Sequence, residues 1–154
     1  MAYKKILVPL DGSEISEGAI EHAEHICKCD KIDYIIILRV FEPILVDARD
    51  MLEAERAAEL QSKKEEEAKG YLKKVEKRLK DKGLPVKTIF EYGMDPAAKI
   101  LEVAKKENAD IIVMCSHGKS KVLHWMFGSV ANRVLMRTPI PVLVVVPEQR
   151  ESNV

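Results

Sequence analysis

Five short apolar runs, most of them rich in Ile and Val, alternate along this chain with four stretches of helical periodicity, and that alternation narrows the fold more than any other feature. Lys4 to Leu10 and Tyr34 to Val40 are almost continuously apolar, the pattern of strands buried on both faces of a parallel sheet. The helix expected between them has Ser13 as N-cap, Glu14 and Glu17 in its first turns, and Ile15, Ala19, Ala23, Ile26 and Cys27 along one stripe. From Met51 to Lys82 a highly charged segment spaces Leu60, Lys64, Ala68, Leu72, Val75 and Leu79 three or four apart. This predicts a long helix with a narrow buried seam, ended by Gly83 and Pro85. Val86 to Tyr92 alternates apolar and polar like a half-exposed edge strand, and Asp95 and Pro96 then open a helix with Ile100, Leu101 and Ala104 inward. Ile111 to Met114 reads as a buried strand, Ser129 to Met136 as a helix, and Val142 to Val146 as a last strand between Pro141 and Pro147.

The order βαβαβαβαβ predicts an α/β fold: an open, Rossmann-like parallel sheet of five strands with right-handed crossovers and helices on both faces. Ligands of such sheets bind beyond the carboxyl ends of the strands, where strand order reverses. Periodicity alone leaves that strand order open.

At 154 residues the chain is the size of one domain. The domain is expected over residues 1–147, with a short tail at 148–154. Its 25 basic and 25 acidic side chains cancel, so no long-range field draws the protein to nucleic acid or to an anionic membrane. The start lacks the apolar segment of a signal peptide, and no later run is long enough to cross a bilayer. Cys27, Cys29 and Cys115 are an odd number and suit free thiols in a reducing compartment, so a cytoplasmic location is expected.

Two connections stand out for small, polar and glycine residues. The loop after the first strand reads Pro9-Leu10-Asp11-Gly12-Ser13 and runs straight into a helix start. The loop after the fourth reads Cys115-Ser116-His117-Gly118-Lys119-Ser120-Lys121, and Gly128-Ser129 stand at the next helix start. Glycine lets backbone amides approach an anion, and the first amides of a helix carry partial positive charge, so both elements suit phosphate. Lys119 and Lys121 add full charges. Taken singly, such glycines are ordinary turns. Asp11 suits either a ligand contact or an Asx turn.

At these residues the chain resembles the universal stress protein family, whose ATP-binding members carry G-x2-G-x9-G-[ST] after the fourth strand. Gly118 and Gly128-Ser129 match its second and third elements, and Cys115 occupies the place of the first glycine. Ile6-Leu7-Val8-Pro9 with Asp11-Gly12-Ser13, and the ending Pro141-Val142-Leu143-Val144-Val145, are similar to the family as well. The resemblance implies strand order 3-2-1-4-5, which brings the first and fourth loops together at the switch point. It implies that Pro9, Leu10, Asp11 and Val40 hold the adenine and ribose of ATP. It further implies that Cys115, Ser116, His117, Gly118, Lys119, Ser120 and Lys121, with Gly128, Ser129 and Val130, hold the phosphates. The Ser129 hydroxyl would meet a phosphate or its Mg²⁺. A homodimer through the apolar last strand, an edge in that order, is expected too.

Rival readings are weaker. His22, His25 and Cys29 share one helix edge while Cys27 turns to the apolar stripe, which gives at most three converging zinc ligands. Ser116 and His117 are adjacent, with no third member of a triad evident. Trp125-Met126-Phe127 suits either a partner patch or packing beneath the glycine loop. Fast ATP hydrolysis needs acids around the phosphates, and Asp11 alone is offered. A nucleotide-dependent switch, read by a downstream protein the sequence does not identify, is therefore favoured over a slow ATP hydrolase. A relative that binds no nucleotide and acts through its dimer surface is the remaining alternative.

Overall fold

The structure, a computed structural model, describes residues 3–29, 31–45, 47, 49–117 and 127–147. Strands β1 (Lys5–Pro9), β2 (Tyr34–Phe41), β3 (Val86–Tyr92), β4 (Ile111–Cys115) and β5 (Val142–Val145) form one parallel sheet in the order β3-β2-β1-β4-β5. Helices α1 (Glu14–Cys29), α2 (Met51–Asp81), α3 (Pro96–Glu107) and α4 (Ser129–Arg137) connect them. The 3-2-1-4-5 order expected from the resemblance is the order found. The order of strand addition reverses between β1 and β4, so the connections that follow these two parallel strands leave to opposite sides at their carboxyl ends.

Alternation along each strand divides the core. Ile6, Val8, Ile35, Ile37, Val113 and Cys115 face α1 and α2, while Leu7, Ile36, Leu38, Val40, Ile112 and Met114 face α3 and α4. Arg39 lies in the same alternation as Ile35 and Ile37, a charged side chain on the α1/α2 side of a strand buried from Ile35 on either side of it. Edge strand β3 is half exposed over most of its length, as its alternation predicts.

Helix α2 departs from the expected continuous seam. Ala68, Leu72, Val75 and Leu79 are buried, whereas Leu60 and Lys64 are exposed. Its first half is exposed and begins with a cap: Glu53 N donates to Asp50 Oδ1 at 2.8 Å, and Arg49 N, one residue before the cap, donates to Glu53 Oε2 at 3.0 Å. Asp95 caps α3 as expected, accepting from Ala98 N at 3.1 Å. No helix among the described residues is long and apolar enough to cross a membrane. The tail at 148–154 lies outside the described residues.

Candidate functional site

The loop after β1 is held by its own side chains. Asp11 Oδ1 accepts from Ser13 N at 2.9 Å and from Ser13 Oγ at 2.6 Å. Ser13 Oγ in turn accepts from Ser16 N at 3.2 Å, which caps α1. Gly12 has φ of +88°, a conformation that side chains strain against. Asp11 thus forms an Asx turn, and it also lines the cavity at the switch point.

The connection from β4 to α4 is built differently. Ser116 is buried, its amide donates to Val145 O at 2.8 Å, and its own carbonyl accepts from Gly128 N at 2.7 Å. A Cβ on Gly128 would lie 3.0 Å from that carbonyl oxygen, so glycine is needed here for close approach. Gly128 caps α4 with no side-chain hydrogen bond, leaving the first amides of α4 without a side-chain acceptor from the cap. Ser116 Oγ and His117 Nδ1 are paired at 2.9 Å.

Both loops open into one cavity of about 690 Å³ that straddles the end of the sheet. Pro9, Leu10, Asp11 and Val40 line it, as do Cys115, Ser116, His117, Gly128, Ser129 and Val130. Gly118, Lys119, Ser120 and Lys121, which complete the sequence-derived set, lie outside the described residues, as do Trp125 and Met126. Phe127 is half exposed. The cavity also takes in Arg39 from β2 and Glu67 and Tyr71 from α2, none of which the sequence reading singled out, and Lys64, expected in the buried seam of α2. Two buried side-chain nitrogens without a hydrogen-bond partner among the described residues, Arg39 Nε and His117 Nε2, both belong to side chains of this cavity. Buried polar groups are ordinarily paired, so their convergence marks a surface shaped for polar contacts beyond those of the fold itself.

Electrostatics divide the cavity. Burial lowers the pKa of the Arg39 guanidinium, and Asp11 opposes that shift. Burial, with a hydrogen bond to Glu17 adding to it, pushes the Tyr71 phenol well above its ordinary value. Cys115 points away from the cavity: its Sγ lies 2.9 Å from Ile15 O in α1, and a Cβ added to Gly18 would sit 3.4 Å from that sulfur. Burial raises its pKa, although a backbone hydrogen bond from Ala19 opposes this. The thiol is therefore an inert packing group beneath α1. His22, His25 and Cys29 are exposed on α1, and among the described residues no group of three or more His, Cys, Asp or Glu is placed to hold a metal ion.

Comparison with known proteins agrees with this architecture. The universal stress protein family pattern matches residues 2–146. The universal stress protein MJ0531 of Methanocaldococcus jannaschii is 39% identical, covering 97% of this chain and 85% of that protein. MJ0577 of the same organism is 36% identical over 93% of this chain and 94% of its own. Its solved structure superposes with a TM-score of 0.83 over 97% of this chain and 99% of that one. A universal stress protein solved in complex with cAMP, 24% identical, shares the fold with a TM-score of 0.65 over 95% of this chain and 98% of its own. The chain belongs to the universal stress protein family.

Proposed function

We propose that the cavity binds ATP or a closely related adenine nucleotide, and that the bound nucleotide acts as a switch rather than as a rapidly consumed substrate. The observation that carries this reading is the convergence of both loops, and of the unpartnered nitrogens Arg39 Nε and His117 Nε2, on one cavity at the strand-order switch point. The phosphates meet the uncapped start of α4 at Ser129 and Val130, where amides and helix dipole favour negative charge. The lysines of the Gly118 loop add charge, and Mg²⁺ accompanies the phosphates at the Ser129 hydroxyl. The base lies against Val40, and the ribose lies beside Asp11.

A slow hydrolase is the second reading. Asp11 is engaged with Ser13, and no second acid stands at the α4 end among the described lining residues, so a base for fast water attack is missing there. Mass spectrometry of ligand released from protein purified without added nucleotide tests the binding reading, with an adenine nucleotide as the expected result. Edge strand β5 pairs with β4 and leaves its outer edge for a second copy, a homodimer that light scattering at micromolar concentration should detect.

A further inference from the structure

We infer that Gly70 is a hinge at which the first half of α2 bends to close the cavity on its ligand, an inference that rests on the nucleotide reading for the identity of that ligand. Helix α2 runs unbroken from Met51 to Asp81, but its buried seam, Ala68, Leu72, Val75 and Leu79, lies wholly in the second half. From Met51 to Glu67 no residue is buried, and Met51, Leu52 and Leu60 are exposed. Gly70 stands at the change, between the first two buried positions. Glycine inside a helix weakens it locally, and a close neighbour that leaves no room for a side chain is one reason to find it there. Gly70 has no such neighbour: a Cβ built on it would meet nothing within 4 Å, and its φ is not positive. Alanine would fit and would stiffen the helix, so what glycine contributes here is ease of bending.

A bend at Gly70 moves one wall of the cavity. Lys64 and Glu67 line the cavity from the half before the glycine, whereas Tyr71 lines it from the half after, where a hydrogen bond to Glu17 ties it to α1. Gln61 Oε1 accepts from Ile44 N at 3.1 Å, so the connection after β2, which lines the cavity at Glu42 and Ile44, is carried with the first half. The side-chain contacts that tie this half to β3 lie close to the hinge. Tyr92 Oη donates to Glu65 Oε1 at 2.5 Å, and the Lys69 ammonium, paired with Glu65, lies 5.2 Å from the centre of the Phe90 ring. Lys69 and Tyr92 are exposed, and contacts of this kind contribute little, so they yield or shift at small cost. A segment without buried apolar contacts is the part of a fold that moves most easily, and a pivot at the edge of the packed region suits closure about a ligand.

The test places spin labels on Ser62→Cys in the first half of α2 and Lys105→Cys in α3, and in a second protein on Lys74→Cys and Lys105→Cys, with Cys27 and Cys29 replaced by serine; all three labelled positions are exposed. Dipolar distance distributions are recorded with and without ATP, with and without Gly70→Ala. Unlabelled wild type and Gly70→Ala are compared by thermal unfolding and by calorimetric titration with ATP. The distance from position 62 to 105 should be more broadly distributed than that from 74 to 105, and ATP should shift and narrow the first while leaving the second unchanged. Gly70→Ala should raise Tm and narrow the first distribution without ligand, yet weaken ATP about fivefold, because the helix propensity gained by alanine opposes the bend. A glycine with a purely structural role would raise Tm on replacement without changing affinity. A distance from 62 to 105 that ATP does not alter, or a Gly70→Ala protein that binds ATP as tightly as wild type, overturns the inference and leaves the nucleotide reading standing. If wild type binds no ATP, the nucleotide reading fails, and the hinge is overturned as well should Gly70→Ala leave the width of the ligand-free distribution from 62 to 105 unchanged.

Discussion

At the start of α1 the Ser13 hydroxyl accepts from Ser16 N, and Asp11 holds both Ser13 groups, whereas at the start of α4 Gly128 contributes no side-chain cap at all. Both helix starts face the same cavity, and both loops are rich in glycine. In the sequence they read as equivalent phosphate elements. The structure separates them: one uses its donors to hold its own loop, and the other keeps them for something else. Their glycines differ likewise. Gly12 is required by its φ of +88°, Gly128 by a backbone oxygen that a Cβ would approach to 3.0 Å.

The largest effect should come from Gly128→Val, which places a branched side chain against Ser116 O at the mouth of α4. ATP affinity should fall about hundredfold or more, roughly 2.7 kcal/mol, in calorimetry. Ser129→Ala should cost about 1.5 to 3 kcal/mol of binding, one charge-assisted hydrogen bond, with little change in Tm. Cys115→Gly reverses that pattern because the thiol fills space beneath α1 rather than the cavity. Stability should drop by about 1 to 2 kcal/mol in denaturant unfolding through lost packing and added chain entropy, while ATP affinity changes less than tenfold. Ser13→Ala should be the mildest, costing about 1 kcal/mol of stability for a lost cap. Should Ser13→Ala instead weaken ATP as strongly as Ser129→Ala, the contrast between the two helix starts does not hold.

Cys115 shows how far the sequence carries. Its place in the motif is visible from spacing, and an extended conformation follows from the strand before it, which the structure bears out: it lies in β4 and is not among the residues of positive φ. That its sulfur faces α1 depends on the parity of β4 in the sheet and on Gly18 leaving room. The sequence contains both residues, but not their meeting. The strands, the helices and their alternation were legible because apolar periodicity follows burial directly. Helix α2 was misjudged in part, since heptad-like spacing at Leu60 and Lys64 does not reveal where the sheet beneath the helix ends.

Arg39 and Tyr71 escaped notice for a related reason. Arg39 is one cation in an apolar run, and Tyr71 stands beside Leu72 on the seam of a charged helix, so each looks incidental within its own element. Only the register of β2 against β1 and the packing of α2 bring them to one cavity. A lone arginine at the carboxyl end of an otherwise buried strand was the available signal, because a buried guanidinium demands a partner.

The central claim is that the α4 start holds the phosphates of an adenine nucleotide. Calorimetric titration of wild type and Gly128→Val with ATP and with adenosine addresses it most directly. Wild type should bind ATP far more tightly than adenosine, and Gly128→Val should remove that advantage while leaving adenosine binding within a few fold. ATP and adenosine binding alike to wild type, or an advantage of ATP that survives in Gly128→Val, would contradict it.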